Sequence, residues 1–229
     1  MGLFDLNVDL TQFDGVTRLF PLPGVVMFPH VVFPLHIFEP RYRQMTRDAL
    51  EGDRLITIIQ SRPGVKNARG EPPLEQVGCL GKIVRHEELP DGRFQFLLLG
   101  CQRVQIIQEI QVETLYRQAK VSLLRDEEEP DPGSFDRDAI VRSFSDLLSL
   151  KGYSASEWAP MLDQSIPLGV LTDLMTHALE IPVAVKQAML AETRVKRRIE
   201  GLRMILRELI ARNPRRSESR GYPPPFSEN

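Results

Sequence analysis

Only two cysteines, four histidines and one tryptophan occur in 229 residues. Cys79 and Cys101 form no C-x-x-C pair and lie among strand-like apolar residues, so a disulfide-built scaffold is excluded and both read as small buried hydrophobes. His30, His36, His86 and His177 are scattered, and no spacing sets two imidazoles on one helical face. No metal and no other cofactor is therefore expected. Long apolar runs are also missing: none approaches the ~20 residues that cross a bilayer. The opening MGLFDLNVDL has neither the basic start nor the apolar centre of a secretion signal, and Leu6 stands where a myristoylation motif needs Ser or Thr. A cytoplasmic protein without membrane partners is the expectation.

Catalytic signatures are equally scarce. A phosphate-binding P-loop needs Gly-Lys followed by Ser or Thr, whereas Gly81-Lys82 is followed by Ile83. The G-x-G-x-x-G dinucleotide fingerprint is absent. Gly152-Tyr153-Ser154-Ala155-Ser156 approaches a nucleophile elbow, but it lacks the closing Gly and a preceding apolar strand; it reads instead as a helix start capped by Ser154 or Ser156. The acid pairs Glu87-Glu88 and Glu127-Glu128 lie in polar, turn-like stretches that would not shift their pKa values. No enzyme is expected.

What is present suits a folded domain. The chain is 42% hydrophobic with an ordinary 18 Pro and 15 Gly, and a protein of this size buries roughly 70% of its unfolded surface. The first half has strand periodicity and the second half helix periodicity, an α+β pattern. Leu55–Gln60 is apolar on both faces and predicts a strand covered on both sides. Further strands are expected over 75–88, over 93–99 after the Pro90-Asp91-Gly92 turn, from 102 onward, and around Val121 and Leu123. The alternation slips phase at Ile107, which predicts a bulge. Short strands joined by hairpins suit a small barrel. Pro40 fits a first helical position, with Tyr42, Met45, Ala49 and Leu50 on one face and Gly52 ending the helix.

The acidic, Pro-broken stretch 126–136 is the expected boundary between the halves. Beyond it, helices are predicted around Ile140, Phe144, Leu147 and Leu148, after Pro167, after Pro182, and over 193–212. The tail 213–229 has too little apolar content to order itself. Between 194 and 216 nine Lys or Arg stand against two Glu, a local +7 in a chain of net −2. That basic segment is a possible nucleic-acid footprint through Arg197, Arg198 and Arg203. The competing reading is a helix end complemented by its dipole and by the acidic stretch, with no interleaved aromatics for stacking on bases.

The run LFPLPGVVMFPHVVFPLHIFEPRY, residues 19–42, is the most specific stretch. It resembles the opening of the N-terminal, substrate-binding domain of Lon proteases, with the tetrad Glu39-Pro40-Arg41-Tyr42 followed by Met45. Val77-Gly78 with Gly81, then Gly100 and Arg103, and finally Lys186 to Leu190 with Arg198 and Leu202, follow in the same order as in that family. His30 stands where the family pattern has Gly after Phe-Pro. The resemblance covers residues 16 to 212. It implies a PUA-like β pseudobarrel over 16–125, a C-terminal helical bundle over 134–212, an N-terminal extension over 1–15 and a disordered tail over 213–229.

The resemblance also implies a non-catalytic protein- or peptide-binding module, a stand-alone domain without ATPase or protease parts. Its expected partners are unfolded or peptide clients and a separate protease, with PUA-like nucleic-acid binding as the alternative. The Pro-rich run supplies candidate peptide contacts in Val26, Phe28, Val32, Phe33 and Phe38, since large apolar groups in a stiff loop either fill the core or form a sticky patch. Glu39 is expected to pair with Arg103, tying the first helix to the barrel.

Overall fold

A computed structural model describes residues 8–68, 70–127, 134–154 and 164–212, with the side chains of 134–136 left aside. In chain order the strands and helices are β1 (Val16–Leu22), β2 (Val32–Ile37), α1 (Pro40–Glu51), β3 (Leu55–Gln60), β4 (Val77–Glu88), β5 (Phe94–Ile110) and β6 (Gln118–Leu124). Helices α2 (Ser134–Leu150), α3 (Leu168–Ala178), α4 (Val183–Ala191) and α5 (Val195–Arg212) follow. The architecture is α+β, as the periodicity predicts.

β1 runs parallel to β3, and the pairs β3–β4, β4–β5, β5–β6 and β6–β1 are antiparallel. These pairings close a five-stranded ring. β5 is one continuous strand of 17 residues where the sequence suggests two. β4 follows one edge of β5 along most of its length, while the other edge is shared: β2 takes Phe94 to Leu99 and β6 takes Arg103 to Ile110. Three register shifts let the long strands bend, one beside Leu80/Gly81, one beside Ile83/Arg85 and one beside Ile106/Gln108. Val84 and Ile107, the residues passed over at the last two, are exposed. The phase slip at Ile107 is thus the bulge it predicts.

A cluster of Leu19, Leu55, Ile59, Leu80, Val104, Ala119 and Val121 draws on all five ring strands and fills the barrel. Leu10 and Phe13, within the segment read as an extension, pack against it. The larger core covers the outside of the barrel and continues through α1 into the helices. α1 starts at Pro40 and buries Tyr42, Met45, Thr46 and Ala49, with the Tyr42 and Phe20 rings 4.3 Å apart. Gly52 caps α1 as expected, but at φ −112°; the left-handed residue that turns the chain is Arg54, at φ 64°.

Residues 32–37 are a strand where the sequence suggests a Pro-rich loop. Pro34 is compatible because β2 is the terminal strand of the sheet order, where a missing N–H removes no ladder bond. α2 buries Ile140, Phe144, Leu147 and Leu148 and ends in a Schellman turn, with Gly152 at φ 85° and the Tyr153 N–H on the Leu148 carbonyl. Ser154 follows that turn, and Ser156 and the proposed helix start lie outside the described residues. The tail 213–229 does as well. Among the described residues no helix is long and apolar enough to cross a membrane.

Candidate substrate-binding site

The Pro-rich run splits into a buried plug and an exposed edge. Val26, Met27, Phe28 and Val31 are all at most 6% exposed. Val26 and Phe28 are therefore core residues and not contact residues, which corrects their assignment to a binding surface. The plug closes against Gly100: the His30 N–H donates to the Gly100 carbonyl at 2.8 Å, and the Gly100 N–H donates to Val31 at 2.9 Å. A Cβ at Gly100 would lie 2.2 Å from the Phe28 carbonyl oxygen, so only Gly lets the two backbones meet. His30 holds φ 64°, so the turn is left-handed with histidine in the glycine position.

After the plug, β2 alternates. Val32, Pro34 and His36 are exposed, while Phe33 and Leu35 are half-buried. Phe33 packs toward His177 of α3, ring centroids 6.4 Å apart, and Phe28 meets the same imidazole at 6.4 Å. Cross-strand register sets Pro34 beside Leu97 and Leu97 beside Arg85, and His36 beside Gln95 and Gln95 beside Glu87. A shallow groove of about 450 Å³ runs over this three-stranded patch, with Pro34, Leu35, Phe96 and Leu97 as apolar lining and Arg85 and Glu87 as opposite charges. Phe38, 62% exposed, contacts His36 at its rim with centroids 6.2 Å apart. Val32 at 44% and Val84 at 42% add exposed apolar area on the same three strands. Of the five predicted contact residues, Val32 and Phe38 are exposed, Phe33 is partly buried, and Val26 and Phe28 are internal.

The tetrad forms the start of α1. Glu39 precedes α1 and pairs with Arg41 at 2.8 Å. The Arg41 guanidinium lies 4.4 Å from the buried Tyr42 ring. Glu39 does not meet Arg103, which corrects the expected pair: Glu39 is half-exposed at the start of α1, while Arg103 is 2% exposed and turned toward the helices.

Arg103 instead joins a buried cluster assembled from four parts of the chain. It donates through Nε to the Leu190 carbonyl at 2.9 Å, through Nη2 to Asp173 Oδ1 at 2.5 Å, and through Nη1 to Asp126 at 3.3 Å. Arg198 donates to the same Asp173 oxygen at 2.7 Å and also to Asp126 Oδ2. Burial pushes the Asp173 carboxyl above its usual range, against the pull of both guanidinium groups. Gly169 makes the space, since a Cβ there would lie 2.5 Å from Asp126 Oδ2. Gly78 and Gly81 are also close approaches, to the Ile58 carbonyl and the Leu98 side chain at 2.7 Å.

Both thiols are pushed up by burial, Cys101 to about 11. Arg198 is fully buried, so the proposed nucleic-acid surface loses one of its three cations. Asp126, from the stretch read as a boundary, supplies one of its two counter-charges, beside Asp173.

The sequence profile described as the ATP-dependent protease La (LON) substrate-binding domain matches residues 16–208. The chain belongs to this family. It is similar to the Lon protease of Heliobacterium modesticaldum, 27% identical over 198 residues, 85% of this chain and 23% of that protease. It is also similar to the Lon protease of Cytophaga hutchinsonii, 31% identical over 126 residues, 53% of this chain and 15% of the relative. This Lon substrate-binding domain thus spans less than a quarter of these two proteases. Its fold is shared with the Lon N-terminal domain protein from Xanthomonas campestris, at TM-score 0.58 and 21% identity over 87% of this chain and 99% of that one. The N-terminal domain of Mycobacterium avium complex Lon protease gives TM-score 0.62 and 15% identity, covering 86% of this chain and 98% of its own.

Asp173 and the grouping around it escape sequence reasoning, although a signal exists. Asp173 falls inside the inward apolar stripe of α3, between Leu171 and Leu174, and Arg198 falls between Val195 and Ile199 in α5. A charge within a buried stripe requires a partner.

Proposed function

We propose that this Lon substrate-binding domain captures extended, apolar segments of unfolded protein clients along the β2 groove, and that unfolding and cleavage belong to protease machinery outside residues 16–208. One observation carries this reading: Val32, Phe38 and Val84 stay exposed around a groove with an apolar floor, on strands whose other faces are well packed. Large apolar groups grouped on a surface mark an interaction site. The single Arg85 and Glu87 leave the groove without net charge, so it selects for apolar content over charge. Pro34 stiffens β2, which reduces the ordering entropy lost on binding.

The test is a double substitution, Val32→Ser with Phe38→Ser, assayed for capture of reduced, carboxymethylated lysozyme, a permanently unfolded chain. Both positions are exposed, so the fold is expected to survive, as circular dichroism checks. Affinity should fall at least about tenfold from the lost apolar contact. Capture at wild-type strength by the folded double variant would remove the groove from the mechanism.

A further inference from the structure

A second cleft, of about 470 Å³, lies between the end of the barrel and α4, lined by Gln60, Pro63, Val77 and the α4 residues Ala184, Gln187 and Ala188. Three features of it are unexplained by the β2 groove. First, Ala184, Ala188 and Ala191 stand at i, i+4 and i+7 and are all exposed, so α4 presents a wall of methyl groups that a chain can approach closely. Second, Gln187 is only 9% exposed; its Nε2 donates to the Val77 carbonyl at 2.9 Å, and its buried Oε1 has no hydrogen-bond partner. Third, Gln60, at the end of β3, has a buried Oε1 that is also without a partner. Two buried acceptors on one cleft are costly unless something supplies donors.

The chemistry of the donor follows from the charges. Arg62 and Glu75 line the cleft and offset each other, so no net field favours a cation or an anion. The matching donor is a neutral N–H beside a small apolar surface, which is what the main chain of an extended peptide provides. We propose that this cleft is a second peptide-binding site, in which the Gln60 and Gln187 side chains turn outward on binding so that their unpaired, buried oxygens accept hydrogen bonds from main-chain amides of a client segment lying along the alanine face of α4. It rests on the reading of the chain as a protein-binding domain. It also gives Lys186-Gln187-Ala188, prominent in the sequence, a role beyond helix packing. Two sites at opposite ends of β4 would hold a client at two points, raising avidity without a stronger single contact.

The experiment uses the full chain carrying a benzoylphenylalanine photocrosslinker at exposed position 184 or at exposed position 32, with carboxymethylated lysozyme as the probe. Crosslinks are expected from both positions. Ala188→Trp, which fills the cleft without touching Gln187, and Gln60→Leu, which removes one acceptor, should each lower crosslinking from position 184 about tenfold while leaving position 32 unchanged. Crosslinking from position 32 alone would overturn the second site and leave the groove standing. Crosslinking from position 184 that survives both substitutions would overturn it too, and crosslinking from neither position would remove the protein-binding reading itself.

Discussion

Asp173 holds two guanidinium groups on one carboxylate oxygen, at 2.5 Å from Arg103 and 2.7 Å from Arg198. All three side chains are at most 3% exposed, so neither salt nor water substitutes for a missing partner. Asp173→Ala would leave two buried cations with Asp126 as their remaining partner. Removing one member of such a cluster costs about 3–5 kcal/mol, and urea denaturation should show a loss of that size. A loss below about 1 kcal/mol would mean that Asp126 alone balances both arginines. The motif residues divide by the same logic. Gly78, Gly81 and Gly100 are legible as motif positions in the sequence, yet their reason, a backbone or side chain within 3 Å of the absent Cβ, becomes visible only in three dimensions. Arg103 is legible as important and its partner is not, because the carboxylate it meets lies 70 residues further along the chain.

At the scale of elements, the second half of the Pro-rich run is the instructive case. Its proline content argues for a loop, but alternation of exposed Val32, Pro34 and His36 with half-buried Phe33 and Leu35 makes it an edge strand. The strand is held from behind by α3, through the Phe33–His177 contact. Burial lowers the pKa of His177, aided by the nearby Lys186, and its Nδ1 is buried without a partner. A neutral native imidazole binds its proton only on unfolding, so its contribution to stability is whole above about pH 6.5 and falls as pH drops toward the depressed native value. Denaturation midpoints measured from pH 7.5 down to 5.5 should decline, and His177→Phe should flatten that decline. An unchanged slope in the variant would show that His177 takes up its proton as readily in the folded state as in the unfolded one. The periodic strands and helices are legible without the structure because their apolar faces are regular. The joining of two expected strands into β5 is not, because a bulged strand that changes partners midway leaves no local mark.

For the whole molecule, the barrel and helices are bound by polar ties placed between them: Arg103 on Leu190, Gln187 on Val77, and the cluster of Asp126, Asp173 and Arg198. The stretch that reads as a boundary in the sequence therefore contributes Asp126 to the junction. That union joins the helices to the barrel whose strands carry the β2 groove. The central claim is that clients bind there. The most direct measurement is a titration of carboxymethylated lysozyme into methyl-labelled domain, followed by nuclear magnetic resonance. The account predicts the largest shifts at Val32, Val84 and Leu97, the methyl groups on the three strands of the groove. Shifts confined to α5, or none at saturating client, would contradict it.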